Sequence, residues 1–343
     1  MRPSANLSGL ASCLVFALSA GTGCKDTHDT ADPQTDDTGP ADSGDTHEDT
    51  GDTSNGYDGP WEILADLPEG GAWPAVAVLD GRIHAIPSNS TGHYVYDPVA
   101  DEWSERAPAP SAAHYHAAAA IDGRLYLMGG GSPSAIDSLD SNRVYDPGTD
   151  AWEERAPLPT ARGYLVARTL AGEVWAMGGP RYAKDTLHLR AEAYDPVKDT
   201  WRRAADLPKD TSWALYSANV VVDDVLYKLA GGIASRPEDA AWRFDPASEA
   251  WTALQDTPKA NHGLAGAAVG RVITLMGGYY DDTYHDDVVR YDIDAGTYTD
   301  GPPLPSERAY SSAVALDGCV YSVGGFHSAH QAEMGVSFIR ICE

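Results

Sequence analysis

The sequence predicts an all-β fold, and the main evidence is an eight-residue phrase that recurs along the 343-residue chain. The phrase is YDPVADEW at 96–103, and further copies stand at 145–152, 194–201, 244–251 and 291–298. Between the copies, short stretches rich in β-branched and aromatic residues are interrupted by Asp-Gly, Gly-Gly and Asp-Pro. Such patterns are typical of short antiparallel strands. The spacing of 47 to 50 residues indicates that one structural unit is repeated.

The third copy shows the four strands of the unit. RGYLVARTLAG (162–172) is predicted as a first strand, and EVWAMGG (173–179) as a second strand closed by two glycines. RAEAYDP (190–196) and TWRRAADLP (200–208) give the third and fourth strands, with a type I turn at Asp-Pro between them. Four copies carry an acid two residues before the Trp: Asp101, Asp150, Asp199 and Glu249. Because they recur with the turn, we expect them to cap it rather than to act as general acids.

A period near 50 with Gly-Gly, Tyr-Asp-Pro and a later Trp strongly resembles the kelch repeat. The resemblance covers residues 60–343 and implies a β-propeller, with four-stranded blades around a central channel. Five complete units end at Trp103, Trp152, Trp201, Trp251 and Tyr298. The last segment offers three strands, ending with GVSFIRIC (335–342), while WEILADLP (61–68) is left over at the start. Closing the ring with that N-terminal strand gives six blades and removes an exposed edge.

The first 23 residues have the order of a secretory signal. Arg2 is followed by the apolar run LASCLVFALSA (10–20) and by small residues before Cys24. This arrangement resembles a bacterial lipoprotein signal, although Gly21 stands where that family usually has Leu. The resemblance implies lipidation of Cys24 and a stable anchor in the cell envelope. Plain secretion is the alternative.

Residues 24–59 are predicted to be a disordered tether. The stretch 25–59 has eleven acids, one base and no aliphatic side chain larger than Ala, so it cannot bury enough apolar surface to order itself. Lys25 directly after the lipidated position favours the outer membrane. The whole chain has a net charge of −27, which argues against nucleic acid or an anionic lipid surface as partner. Membrane contact is therefore expected only through the N-terminal lipid.

The cysteine content predicts one disulfide. Cys13 leaves with the signal, and acylation of Cys24 would leave only Cys319 and Cys342 as thiols in an oxidising setting. If the second and third strands of the last blade pair symmetrically, these two residues face each other. A disulfide there would lock the ring and contribute about 3 kcal/mol.

The loop-rich face is the predicted functional surface. It carries the connections between blades and the loops between second and third strands, which are long and dissimilar: 87–93, 131–142, 180–189, 233–239, 279–287 and 326–334. Variable loops on a rigid scaffold are where binding sites are usually built. The opposite face has short and uniform turns.

Candidate ligand-binding residues stand where the innermost strands begin. Counting five residues past the Pro that ends each fourth strand gives Gly263 once and otherwise Trp73, Tyr115, Tyr164, Trp213 and Tyr310. These rings could stack on sugar faces or pack against the next blade. Their polar neighbours break the six-fold symmetry: Arg162, Arg308, Asn261, His114, His116 and His262. The arginines suit a structural role equally well, and nothing places three histidines on one metal, so no metal site is predicted.

No serine-hydrolase, zinc-protease, P-loop or dinucleotide motif is present, so we assign no catalytic residue and no cofactor. The sequence favours an exported, lipid-anchored, monomeric binding module for a protein or glycan. The alternative is a carbohydrate-active enzyme, because the bacterial sialic-acid mutarotase (N-acetylneuraminate epimerase) is also an exported six-bladed kelch propeller. By that analogy, Arg162 or Arg308 would hold a sugar carboxylate while His114, His116 or His262 moved protons.

Overall fold

The first three blades of the fold lie between residues 75 and 203. Strand β1 (Glu62–Ile63) precedes them. Blade I consists of β2 (Ala75–Leu79), β3 (Arg82–Ile86), β4 (Tyr94–Asp97) and β5 (Glu102–Glu105). Blade II consists of β6 (Ala117–Ile121), β7 (Arg124–Met128), β8 (Asn142–Asp146) and β9 (Ala151–Glu154). Blade III consists of β10 (Val166–Leu170), β11 (Glu173–Met177), β14 (Ala191–Asp195) and β15 (Thr200–Arg203), with the small ladder β12 (Pro180–Arg181) and β13 (Thr186–Leu187) in its loop.

The other three blades follow in chain order. Blade IV consists of β16 (Ala218–Val222), β17 (Val225–Ile233), β18 (Arg236–Asp245) and β19 (Ala250–Ala253). Blade V consists of β20 (Ala265–Val269), β21 (Val272–Met276), β24 (Val288–Asp292) and β25 (Thr297–Asp300), with the ladder β22 (Tyr279–Tyr280) and β23 (Thr283–Tyr284). Blade VI consists of β26 (Ser312–Leu316), β27 (Cys319–Val323), β28 (Phe338–Cys342) and β1.

This computed structural model describes the following residues: 60–71, 73–132, 137–181, 186–187, 189–208, 216–233, 236–326 and 337–342. The predicted signal sequence, Cys24 and the predicted tether lie outside them. No helix in the described ranges is long and apolar enough to cross a membrane.

The predicted ring closure is confirmed. Blade VI is ordered β1-β28-β27-β26, so the N-terminal strand is its outermost member. Glu62 pairs with Arg340 and Ile63 with Ile339 in antiparallel register. The backbone N–H of Leu64 continues the ladder by donating to the Phe338 carbonyl at 2.9 Å. The fold is therefore an all-β, six-bladed propeller whose two chain ends share one blade.

A disulfide joins β27 and β28, the two strands that follow β1 inward in blade VI. Cys319 and Cys342 are register partners in the β27–β28 ladder, and their sulfurs are bonded. The bond lies beside the β1–β28 pairing, so it holds the strand on which the closure depends.

Within the described residues, the hydrophobic core is divided into six clusters, one between each pair of neighbouring blades. The cluster between blades VI and I contains Tyr96 and Phe338, and the cluster between III and IV contains Trp175 and Phe244. Each sheet alternates its side chains between two neighbours because successive residues of a strand point to opposite faces. Burial of both faces explains why the three inner strands of each blade are so apolar.

The repeated phrase builds contacts both within and between blades. In blade II, Tyr145 is the cross-strand partner of Trp152, and their ring centroids lie 5.3 Å apart. Asp146 caps the turn by accepting the Gly148 N–H at 2.9 Å. The later acid, Asp150, accepts the Tyr145 hydroxyl at 2.7 Å and the N–H of Ala107 in the preceding connection at 2.9 Å.

This geometry corrects the expectation that the later acids cap the turn. Asp101, Asp199 and Glu249 likewise accept a backbone N–H from the preceding connection, at 3.0, 2.8 and 2.9 Å. The acid before the Trp therefore joins neighbouring blades, while the Asp of Asp-Pro caps the turn. A carboxylate accepts several hydrogen bonds at once, so one side chain can serve its own Tyr and the next backbone.

Candidate functional site

The six innermost strands surround a central channel with a cavity of about 150 Å³. Small side chains from each strand form much of its wall, among them Ala75, Ala118, Ala218, Ala265 and Ala313. They leave room where six strands crowd around one axis. The connections that enter these strands lie at the same end of the blades as the loops after the second strands, as the bridges His114–Gly131 and Ala309–Phe326 show.

Five aromatic residues, which we call the aromatic cluster, stand at this end of the channel. Its members are Trp73, Tyr115, Tyr164, Tyr216 and Tyr310, and Gly263 takes the sixth position. All six residues have left-handed backbone conformations, with φ between 51° and 71°. Such a conformation is uncommon for aromatic residues, so the surrounding structure must hold it in place.

Backbone hydrogen bonds between blades supply that support. The N–H of Trp73 donates to the Tyr310 carbonyl at 2.8 Å, and the N–H of Tyr310 donates to Gly263 at 2.6 Å. Gly263 donates to Tyr216 at 2.8 Å, and Tyr164 donates to Tyr115 at 2.9 Å. Four of the six turns are thereby joined to the equivalent turn of the preceding blade, while Tyr115 donates its N–H to the Ser88 hydroxyl at 3.2 Å. The left-handed conformation directs these side chains to the channel mouth, where each stays partly exposed.

The rings of the aromatic cluster pack on one another across the axis. The Trp73 ring lies 4.6 Å from Tyr310, 5.1 Å from Tyr115 and 5.6 Å from Tyr216, between centroids. Tyr115 and Tyr164 are stacked at 3.6 Å. The cluster is thus a continuous and partly exposed aromatic surface at the centre of the loop-rich face.

The fourth member of the cluster was not found from the sequence. Trp213, the residue five past Pro208, lies outside the described residues. Tyr216 holds the equivalent position, with φ of 59° and the hydrogen bond from Gly263. The connection into blade IV is three residues longer than in the other blades, so a fixed count from Pro stops short. The spacing to the inner strand could have identified Tyr216. Ala218 follows Tyr216 by two residues, just as Ala75 follows Trp73 by two.

Arg162, Arg308 and Asn261 occupy one repeated position, three residues past the Pro of each connection. The Arg162 and Asn261 side chains donate to a glycine carbonyl of their own blade, Gly178 at 3.2 Å and Gly277 at 2.9 Å. Their backbone carbonyls accept an N–H from a glycine of the preceding blade, at 2.9 and 2.8 Å. This position therefore joins neighbouring blades.

Burial separates these residues from any ligand at the loop-rich face. Arg162 is 0% exposed and forms an ion pair with Glu192. Arg308 is 1% exposed and donates to the Ser322 hydroxyl at 3.5 Å; burial lowers its pKa to about 10. Neither guanidinium is presented at the channel mouth. Asn261 is also buried.

The three candidate histidines lie near the aromatic cluster but do not converge. His262 is buried, with Nε2 2.8 Å from the Tyr310 hydroxyl, and burial lowers its pKa to about 4. His116 lines the channel, with Nε2 3.2 Å from the Ile86 carbonyl and a pKa lowered to about 4 by burial. His114 is partly exposed, its ring lies 5.5 Å from Tyr115, and burial lowers its pKa. Within the described residues, no group of three or more His, Cys, Asp or Glu could hold a metal.

Two further polar clusters were not anticipated. His84 and His93 form a buried pair with Nδ1 2.9 Å from Nε2, between blades I and II. On the loop-rich face, the Lys259 ammonium donates to Asp287 at 2.9 Å and to the Tyr280 hydroxyl at 3.0 Å. The sequence separates these partners too widely for a local motif to reveal them. The second cluster could have been predicted from one feature of the sequence: Lys259 lies in the connection that precedes the Tyr- and Asp-rich loop 279–287.

Comparison with known proteins supports the kelch assignment. A family model described as the Kelch motif matches residues 112–159. Kelch-like protein 23 of Mus musculus is 30% identical over 110 residues, which are 31% of this chain and 19% of that protein. Alpha-scruin of Limulus polyphemus is 32% identical over 112 residues, 31% of this chain and 12% of that protein. The matches thus span less than a fifth of either relative.

A solved structure described as "Structure of YjhT" has the same fold. It covers 80% of this chain and 95% of its own chain, with a TM-score of 0.70 at 16% sequence identity. At that identity the similarity concerns the fold alone. Motif, repeats and architecture agree, and the chain is a kelch-repeat β-propeller with six blades.

Proposed function

We propose that this chain is an exported binding module that recognises a protein or a glycan through its loop-rich face, with the aromatic cluster at the centre of the site. Kelch-repeat propellers are typical protein-interaction modules. The observation that carries the proposal is the convergence of five partly exposed aromatic rings, each from a different blade, at one mouth of the channel.

The chemistry of the aromatic cluster suits recognition. Tyr and Trp are enriched among the residues that dominate binding energy, because they bury a large area at little cost in side-chain entropy. Their faces can also stack on apolar sugar faces. The backbone hydrogen bonds between Trp73, Tyr310 and Gly263 fix the rings before any ligand arrives, which lowers the entropic cost of binding.

Export and lipidation of Cys24 complete the proposal, and they rest on the sequence alone. The acidic stretch 25–59 would then act as a spacer between the membrane and the propeller. Mass spectrometry of the mature N-terminus tests this directly. A diacylglyceryl group on Cys24 would support the anchor, an unmodified N-terminus after cleavage would show plain secretion, and an intact Met1 would contradict export.

A sialic-acid mutarotase is the competing proposal, and the described geometry gives it less support. The two arginines expected to hold the sugar carboxylate, Arg162 and Arg308, are buried away from the channel mouth, so that role would fall to another cation. Acceleration of sugar mutarotation by the full chain, followed by NMR, would favour the enzyme.

The binding proposal is tested with a glycan array and a displayed peptide library, both probed with the full mature chain. Tyr164→Ala should weaken any selected interaction by about tenfold or more, as expected for a central interface residue. Val197→Ala, on the exposed turn of the opposite face, is the matched control and should leave binding unchanged. A thermal melt confirms that both variants fold. Binding that tolerates Tyr164→Ala but is lost in Val197→Ala would overturn the proposal.

A further inference from the structure

Arg168 departs from the repeat inside the central channel. It is the third residue of β10, four past Tyr164, and it lines the cavity. The equivalent positions in the other blades are small or β-branched apolar residues: Ala77, Ala119, Val220, Ala267 and Val314. Among the described residues that line the cavity, Arg168 is the one with a formal charge at neutral pH, since burial holds His116 neutral.

The contacts of Arg168 are all to neutral backbone atoms. Its Nε donates to the Asn219 carbonyl at 2.9 Å and its Nη1 to the Ala167 carbonyl at 2.7 Å. No carboxylate among the described residues forms an ion pair with it. The fully buried Arg162, by contrast, is paired with Glu192.

An unpaired cation in such surroundings is costly. Arg168 is partly exposed, and the partial burial removes some water from the guanidinium and lowers its pKa to about 10. Carbonyl oxygens carry only partial charges, so two hydrogen bonds compensate the desolvation incompletely. A guanidinium has five N–H donors, and the two carbonyls account for two of them. The remaining donors match the geometry of an oxyanion.

Two other polar side chains of the channel wall are already engaged with the protein itself. The Asn219 amide nitrogen donates to the Ser217 carbonyl and hydroxyl, both at 2.9 Å, and the Ser312 hydroxyl donates to the Pro74 carbonyl at 2.7 Å. Arg168 is therefore the cationic group of the wall with donors to spare, beside the unpartnered Trp73 Nε1–H at the mouth. The cavity of about 150 Å³ is in the size range that accommodates a molecule as large as a six-membered ring.

The strong negative charge of the chain opposes an incoming anion, but mainly at long range. The screening length is about 10 Å at 0.1 M salt, so distant acids are largely screened. No Asp or Glu is among the described residues that line the cavity, and the local field is that of Arg168. For an anion that reaches the channel, attraction by Arg168 is stronger than repulsion by the net negative charge of the chain.

We propose that the central channel is a second ligand site, in which Arg168 binds the carboxylate of a small monocarboxylic acid whose apolar body packs against the alanine-rich wall. The site lies deeper in the cavity whose mouth the aromatic cluster lines, and it does not depend on which ligand binds at the loop-rich face. A carboxylate fits because it accepts two parallel N–H bonds from one guanidinium and needs little space.

Propionate and propionamide are the test probes, since they have the same shape and differ in charge. Binding to the full mature chain is measured by saturation-transfer NMR and by titration calorimetry. Propionate should bind, propionamide should bind about tenfold more weakly or not at all, and Arg168→Gln should reduce propionate binding to the propionamide level. Arg168→Lys should retain part of the binding, because lysine keeps the positive charge but lacks the paired N–H donors of the planar guanidinium. Arg124→Gln removes an exposed ion pair and is the matched control.

Two results would overturn the proposal. One is equal binding of propionate and propionamide to the wild-type chain, a comparison that stands even if Arg168→Gln does not fold. The other is unchanged propionate binding in a folded Arg168→Gln variant. Loss of glycan or peptide binding at the loop-rich face would leave this prediction as it is, so the two proposals fail independently.

Discussion

The buried pair His84 and His93 shows how single residues make the stability of this protein depend on pH. Burial lowers the pKa of His84 to about 3 and that of His93 to about 4. The neighbouring His93 also disfavours a proton on His84, whose Nδ1 lies 2.9 Å from Nε2 of His93. Arg82 and Arg106 add to this effect, while Asp150 favours a proton on His93. At neutral pH the pair shares one hydrogen bond and carries no charge.

The unfolded chain takes up protons at these histidines near pH 6.5, whereas the folded chain does so only near pH 3–4. Their contribution to stability is therefore complete above about pH 6.5 and is lost as the pH falls toward the folded values. We expect the melting temperature to fall over this window, and to fall less steeply in His84→Gln. The partly exposed His285, changed to Gln, is the control. Parallel pH profiles for wild type and His84→Gln would contradict the assignment.

At the scale of the strand and turn, the sequence predicted most of the blades and the exceptions have local causes. Asp-Pro and Gly-Gly signals placed the strand ends well because each acts within a few residues. In blade IV the loop predicted at 233–239 is instead partly strand, since β17 runs to Ile233 and β18 begins at Arg236. There Ala230, with φ of 52°, takes the left-handed place that Gly129 holds in blade II. A positive φ at an alanine cannot be read from sequence, because the tertiary structure imposes it.

The functional surface was predictable in place but not in detail. The loop-rich face followed from the repeat, and Trp73, Tyr115, Tyr164 and Tyr310 followed from a fixed count. The count failed where a connection was longer, and it could not distinguish buried arginines from exposed ones. Arg168 is part of an ordinary strand pattern. Its proposed role in the channel could not be predicted, because that role depends on residues of the other blades.

The links between blades yield a prediction at the same scale. Asp150→Ala removes the acceptor of both the Tyr145 hydroxyl and the Ala107 N–H. Loss of these two hydrogen bonds, one of them exposed to water, should lower the free energy of unfolding by about 1 kcal/mol, measured by urea denaturation. Val99→Ala, at a 95% exposed turn residue, should change it by less than about 0.5 kcal/mol. Equal effects of the two substitutions would show that the acid does not join the blades.

At the scale of the whole molecule, every proposed site depends on closure of the ring. The aromatic cluster contains Trp73 from blade I and Tyr310 from blade VI, and the 2.8 Å hydrogen bond between their backbones crosses the junction of the chain ends. The sixth side of the channel that holds Arg168 is formed by β26, the innermost strand of blade VI. Yet the closing strand β1 pairs at just two residues, Glu62 and Ile63. The disulfide and the buried Trp61 compensate for this short ladder.

Peptide mapping of an engineered disulfide tests the closed ring most directly. Glu62 and Arg340 are cross-strand partners, so Glu62→Cys/Arg340→Cys should oxidise to a 62–340 cross-link beside the native Cys319–Cys342 bond. The control Glu62→Cys/Arg243→Cys places the second cysteine on the exposed surface of blade IV. Mass spectrometry of the non-reduced protein should show the 62–340 peptide in the first variant and no 62–243 peptide in the control. Absence of the 62–340 peptide, or equal yields of the two cross-links, would contradict the six-bladed closure.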